Sequence, residues 1–226
     1  MTQKTLFIAP FVLDPNNSNR ILGGGSSLWR TNDAKTPNTN SSGPRWAAIK
    51  APTGNFISAI AIAHGDSDLV WVGHIDGAIF KTINGTASAP IWQRIDTNGP
   101  TPLLARRYCT RIVIDPSDKQ TVYVCFGGYG AGNLWKTTDG GATWRDISGP
   151  LPDVPIRTIA IHPSRRAFLY AGSEIGIFAS EDGGSTWSPG NEGPTNCSVD
   201  ELFWLNKKLV CTTHGRGMFT IDLSAL

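Results

Sequence analysis

Groups able to exchange a proton, attack a carbon or hold a metal are thinly spread in this 226-residue chain. The acids that stand apart from turn motifs are Asp76, Asp96, Asp153, Glu174, Glu192, Asp200 and Glu201. Two carboxylates roughly 5 to 10 Å apart across a cleft can cleave a glycosidic bond, but spacing along the chain singles out no pair. The four histidines show no partner spacing, and no GxSxG elbow presents a serine nucleophile. Cys109, Cys125, Cys197 and Cys211 lack CxxC or any other metal-ligand spacing and read as small buried thiols. No metal and no cofactor is expected. The glycine-rich residues 127–132 join two strands rather than open a helix, so they read as a long turn and not as a phosphate cradle.

Electrostatics selects no partner. Lys and Arg total 20 against 18 Asp and Glu, and Arg106-Arg107 and Lys207-Lys208 are only doublets, so no nucleic-acid partner is expected. No apolar run reaches membrane-spanning length, and Thr5-Leu6-Phe7-Ile8-Ala9, broken by Pro10, is too short for the apolar region of a leader. A membrane partner is therefore not expected, and the compartment stays open.

The elements that must position these groups are strands. With 25 Gly and 15 Pro the chain is rich in turn formers, which suits many short elements better than long helices. An apolar stretch ending near a proline recurs: Val12-Leu13-Asp14-Pro15, Val113-Ile114-Asp115-Pro116 and Ala160-Ile161-His162-Pro163, with His64 in the same slot after Ala61-Ile62-Ala63. Asp14, Asp115 and His162 share one position, which makes His162 a turn residue. A second apolar strand follows, as in Leu69-Val70-Trp71-Val72. A third follows that, as in Asn133-Leu134-Trp135-Lys136-Thr137, and then a loop leads to Trp46, Trp92, Trp144 or Trp187 and a fourth strand. Four strands per unit with a period near 45 residues predict an all-β protein, a β-propeller of four-stranded antiparallel blades. The units fall at roughly 10–50, 57–96, 110–148, 157–190 and 198–226, one domain of about five blades. The last unit holds three strands, so residues 4–9 are expected to supply its fourth and close the ring. The alternative is that the chain is part of a larger propeller or an assembly subunit, whose unfilled blades would drive oligomerisation.

The loop before the last two tryptophans carries a motif: Thr138-Asp139-Gly140-Gly141-Ala142-Thr143-Trp144 and Glu181-Asp182-Gly183-Gly184-Ser185-Thr186-Trp187. Asp can cap backbone N–H groups in such a turn, and the glycines supply positive φ. Asn32-Asp33 before Trp46 and Asn84-Gly85 before Trp92 are worn copies. This motif resembles the Asp-box, or BNR, repeat, and the resemblance spans nearly the whole chain. Thr213-His214-Gly215-Arg216-Gly217-Met218-Phe219 is similar to the last blade of bacterial BNR-repeat proteins of the glycosyl hydrolase-like and sortilin-like kind. The resemblance implies the propeller fold, a structural role for Asp139, Gly140, Gly141, Trp144, Asp182, Gly183, Gly184 and Trp187, and compatibility with secretion. It does not transfer an activity. A sialidase would carry an Arg-Ile-Pro signature near the first blade, and that signature is absent.

In a four-stranded meander the turns between second and third strands and the connectors between blades share one face, opposite the Asp-centred loops. That face collects His74, Asp76, Tyr129, Glu174, His214 and Arg216 from turns, and Arg106, Arg107, Tyr108 and Arg157 from connectors. Polar and aromatic groups on loops held by a rigid ring are the usual material of binding sites. A non-catalytic propeller recognising a glycan or a protein on this face is the first expectation. A two-carboxylate glycoside hydrolase, or a degenerate relative of one, is the second.

Overall fold

The structure, a computed structural model, describes residues 4–97, 105–189 and 194–222. Among them are nineteen strands in five antiparallel sheets and no helix. The first blade is β1 (Phe11–Leu13), β2 (Ile21–Gly24), β3 (Leu28–Thr31) and β4 (Ala47–Lys50). The second is β5 (Ile57–Ala63), β6 (Asp66–His74), β7 (Ile79–Thr82) and β8 (Gln93–Arg94). β9 (Cys109–Asp115), β10 (Asp118–Phe126), β11 (Leu134–Thr137) and β12 (Arg145–Asp146) form the third. The fourth is β13 (Ile156–Ile161), β14 (Leu169–Ser173), β15 (Gly176–Ser180) and β16 (Ser188–Pro189), and the fifth holds β17 (Val199–Leu205), β18 (Lys208–Thr213) and β19 (Gly217–Asp222). Each sheet is an up-and-down meander, and the chain is a β-propeller.

Alternation along each strand builds the junctions between blades. Ile112, Ile114, Val122 and Val124 of blade three pack with Ala59, Ala61 and Trp71 of blade two. Ile159, Ile161, Leu169 and Ala171 of blade four meet Tyr123 and Cys125 of blade three in the same manner. Leu202, Leu209 and Cys211 of blade five meet Ala160 and Tyr170. The side-chain period of two sends neighbouring residues to opposite faces, so both faces of an inner blade are apolar.

In blades two, three and four a tryptophan fastens the blade to the one before. Trp92 Nε1–H donates to the Ile49 carbonyl (2.8 Å), Trp144 to Ile95 (3.1 Å) and Trp187 to Ile147 (2.8 Å). A cation from the third strand of the preceding blade braces the next loop: Arg30 donates to the Gly85 and Ala87 carbonyls, and Lys81 to the Gly140 carbonyl. The loops share one capping scheme. Asp139 Oδ1 accepts the Thr137 hydroxyl (2.7 Å) and the Thr143 N–H (2.9 Å), and Asp182 Oδ1 accepts the Ser180 hydroxyl and the Thr186 N–H. Asp33 and Asn84 do the same for Thr31 with Arg45 and for Thr82 with Ile91. Burial alone would raise the Asp139 carboxyl, but the hydrogen bonds from Thr143 and Thr137 hold it at about 2.

The expected closure by residues 4–9 does not occur. These residues form no strand, and the fifth sheet is three-stranded among the described residues. They run instead beside the β2–β3 turn of their own blade, where Lys4 O accepts the Ser26 N–H (3.1 Å) and Pro10 O the Gly24 N–H (2.8 Å). The lead-ins to the other inner strands do likewise: Phe56 O accepts Ile75 N–H, Tyr108 O accepts Gly127 N–H and Pro155 O accepts Glu174 N–H. The segment is thus the lead-in to blade one, and Pro10, lacking an N–H, ends its ladder there.

Candidate functional site

The inner strands β1, β5, β9, β13 and β17 surround a central cavity of about 660 Å³. Four of them carry a β-bulge at the same place. Pairing skips one residue between Ile57 and Ala59, between Cys109 and Arg111, between Ile156 and Thr158, and between Val199 and Glu201. The residues left out of the ladder are Ser58, Thr110, Arg157 and Asp200, and all four line the cavity. A bulge frees one residue from the alternation of faces and re-aims its side chain. β1 has no bulge, and Pro10, Phe11 and Val12 line its side of the cavity.

The four bulge residues divide by chemistry. Ser58 Oγ donates to the Cys109 carbonyl (2.7 Å) and Thr110 Oγ1 to the Ile156 carbonyl (2.5 Å), each stitching its strand to the next blade. Arg157 and Asp200 are charged and build a network. Arg157 reaches Glu174 Oε2 through Nη2 (2.7 Å) and Nε (2.8 Å), and its Nε lies 3.8 Å from Asp200 Oδ1. Asp200 accepts the Ser198 hydroxyl (3.2 Å), and its other oxygen is 3.8 Å from His214 Nδ1. Beside this network Arg111 pairs with Glu201 at 2.8 Å, joining blade three to blade five. Tyr108 stands at the rim, 40 % exposed, and partial burial pushes its phenol above the ordinary range.

Of the ten residues expected on the loop face, this cavity collects Tyr108, Arg157, Glu174 and His214. The other six lie elsewhere. Arg107 spans the β10–β11 turn to the Ala131 carbonyl, and Arg106 is exposed where the connector passes Gly77. Tyr129 is exposed, Arg216 reaches the Thr195 carbonyl (3.4 Å), and Asp76 accepts from Asn55 Nδ2 (2.7 Å). His74 is wholly buried: its Nδ1 faces the Asn55 carbonyl (3.3 Å), its ring meets Phe80 edge-on, and its Nε2 has no partner among the described residues. Burial, with the Lys50 ammonium nearby, lowers its pKa to about 4. Lys50 itself is buried, sits 4.0 Å from the Phe80 ring centroid and is lowered by burial to about 8. Among the glycosidase candidates, Asp96 is buried and paired with Arg94 (2.9 Å), and Glu192 lies outside the described residues.

Sequence reasoning did not single out Ser58, Thr110 and Arg111, and weighed Asp200 and Glu201 only as isolated acids. Their signal is a register shift, which one strand read alone does not reveal. Among the described residues no group of three or more His, Cys, Asp or Glu is placed to hold a metal ion.

The fold and cavity together define a β-propeller whose central cavity has ion-paired side chains on one side and apolar ones, Ile8, Phe11, Val12 and Ile60 among them, on the other. No family model and no curated protein sequence matches the chain. Solved propeller structures do. The GH74 xyloglucanase of Xanthomonas campestris matches at 15 % identity and a TM-score of 0.67 over 97 % of this chain and 37 % of its own. The GH74 enzyme of Niastella koreensis matches at 15 % identity and a TM-score of 0.71, over 100 % and 37 %. An ancestral GH74 enzyme matches at 21 % and 0.63, over 96 % and 31 %. The chain therefore spans about a third of the length of these enzymes, and at such identities the likeness is one of fold.

Proposed function

We propose that this propeller recognises a glycan at the mouth of its central channel, and that its four Asp- or Asn-centred loops are Asp-boxes of the BNR kind. The observation that carries the reading is the meeting of Tyr108 with the Arg157–Glu174–Asp200–His214 network in one cavity. A guanidinium and carboxylates already paired with one another suit an uncharged, hydroxyl-rich ligand, which can accept from the one and donate to the others. A partly exposed tyrosine offers an apolar face beside them. The likeness to GH74 structures, one of which is described as a xyloglucanase, supports trying a xyloglucan oligosaccharide first. Calorimetric titration is expected to show binding, weakened at least about tenfold in Tyr108→Ala and in Arg157→Ala. Absence of binding to xyloglucan and to a panel of other neutral oligosaccharides would refute the reading.

A glycoside hydrolase is the second reading, favoured by one observation. Glu174 and Asp200 share Arg157 Nε, at 2.8 and 3.8 Å, which keeps the two carboxylates close enough for two-carboxylate chemistry. Release of reducing ends from the same oligosaccharide, abolished by Glu174→Gln, would select it. Binding without release would set it aside.

A further inference from the structure

The cavity changes character around the ring. Blades four and five line it with Arg157, Glu174, Asp200 and His214, whereas blades one and two and the lead-in to blade one line it with Ile8, Pro10, Phe11, Val12 and Ile60. On the apolar side Ile8 is 80 % exposed and Phe11 64 %, while Pro10 and Val12 are half-buried. Among the described residues, the one polar side chain that blades one and two bring to the cavity is Ser58, and its proton is already given to the Cys109 carbonyl (2.7 Å). Tyr108, which leads into blade three, stands between the two sides.

That division bears on what can fill the space. Sugar hydroxyls find both donors and acceptors on blades four and five. Against Ile8 and Phe11 the same hydroxyls would give up water and meet no polar side chain in exchange, which disfavours them. An alkyl or aryl group gains on that wall, since each methylene taken out of water is worth about fourfold in affinity. The ion pairs and the apolar side chains share a single space of about 660 Å³, within the range of sites that take one small molecule. One ligand can therefore meet both sides.

We propose that the ligand is a soluble glycoside with a short apolar aglycone, alkyl or aryl. Its sugar rests on the side built by Arg157, Glu174, Asp200 and His214, and its aglycone lies along Ile8, Phe11 and Val12. This assignment rests on the glycan reading and adds to it what the sugar carries.

The test is calorimetric titration of the native protein with methyl and hexyl β-glycosides of glucose, galactose and xylose, each below its micellar concentration, and with hexanol. For at least one sugar the hexyl form is expected to bind at least about tenfold more tightly than the methyl form, the gain from burying about two of its methylenes. In Ile8→Ser with Phe11→Ser, both at exposed positions, that ratio should fall to near one. In Arg157→Ala both forms should weaken and the ratio should hold. Equal affinities of the hexyl and methyl forms for the native protein would overturn the proposal and leave the glycan reading standing. So would a hexyl advantage that survives the double substitution. Hexanol binding as tightly as the hexyl glycosides would overturn it too, because the sugar would then add nothing. Binding of none of the glycosides would also overturn it, and the glycan reading would stand or fall on the oligosaccharides.

Discussion

Replacing His74 by Gln should remove one step from the acid unfolding of this protein. The imidazole is fully buried at the end of β6, beside Lys50 and with Nε2 unpartnered among the described residues, and its pKa falls from 6.5 to about 4. Arg94 also disfavours its charged form, whereas Asp76 and the Asn55 carbonyl favour it. Because the folded value lies below the unfolded one, the unfolded chain takes up the proton first as pH drops. The stability this neutral ring contributes is present above about pH 6.5 and is lost as pH falls to about 4. Each pH unit in that window costs about 1.4 kcal/mol, so the whole window costs about 3 kcal/mol. Urea denaturation at half-unit steps from pH 7.5 to 3.5 reads the slope directly. His162, also lowered by burial, adds a smaller slope of the same sign, so the variant should flatten the curve without levelling it. A native curve flat between pH 6.5 and 4, or a His74→Gln curve parallel to it, would refute the reasoning.

Asp139→Asn should cost well under about 1 kcal/mol, because Asn84 makes the same two Oδ1 contacts in blade two; Asp139→Ala should cost about 1 to 2 kcal/mol, as the loss of a capping residue does. With a folded value of about 2 against 3.8, the native carboxylate adds stability above about pH 3.8 that is lost as pH falls to about 2; either variant should lack that loss in melts across the window. Gly141→Ala should destabilise more than Gly54→Ala. Both have φ near +90°, but a Cβ at 141 would lie 2.8 Å from Ile95 Cδ1, and one at 54 would meet nothing within 4 Å. The excess should be about 1 to 3 kcal/mol by chemical denaturation, and equal losses would show that the joint between blades two and three gives way freely.

The fold could be read from the chain because its signals are local. A tryptophan at a fixed distance behind an Asp-Gly-Gly turn, and an apolar stretch closed by Pro116 or Pro163, each mark one strand and its neighbour. The cavity could be read only in part, for the opposite reason. Tyr108, Arg157, Glu174 and His214 lie on loops or strand ends, where polarity stands out. Thr110 and Ser58 sit inside apolar strands, and they reach the channel because the pairing partner skips them. The expected closure by residues 4–9 rested on the ring's need for a closing strand. Pro10, which separates those residues from β1, was the local signal against it. Lys50 was overlooked because a lysine at the end of a strand ordinarily reaches water, and nothing near it in sequence shows that Phe80 and His74 cover it.

The four skipped residues have a consequence for how this protein could change. A side chain in a paired position answers to the sheet, where size, shape and face are set by the neighbouring blade. Ser58, Thr110, Arg157 and Asp200 answer to the channel, since the strand closes its ladder around them. They are four interchangeable fittings on a fixed frame. Two now serve as stitches between blades and two as charges, and exchanging them would rewrite what the channel accepts while leaving the register of every strand as it is.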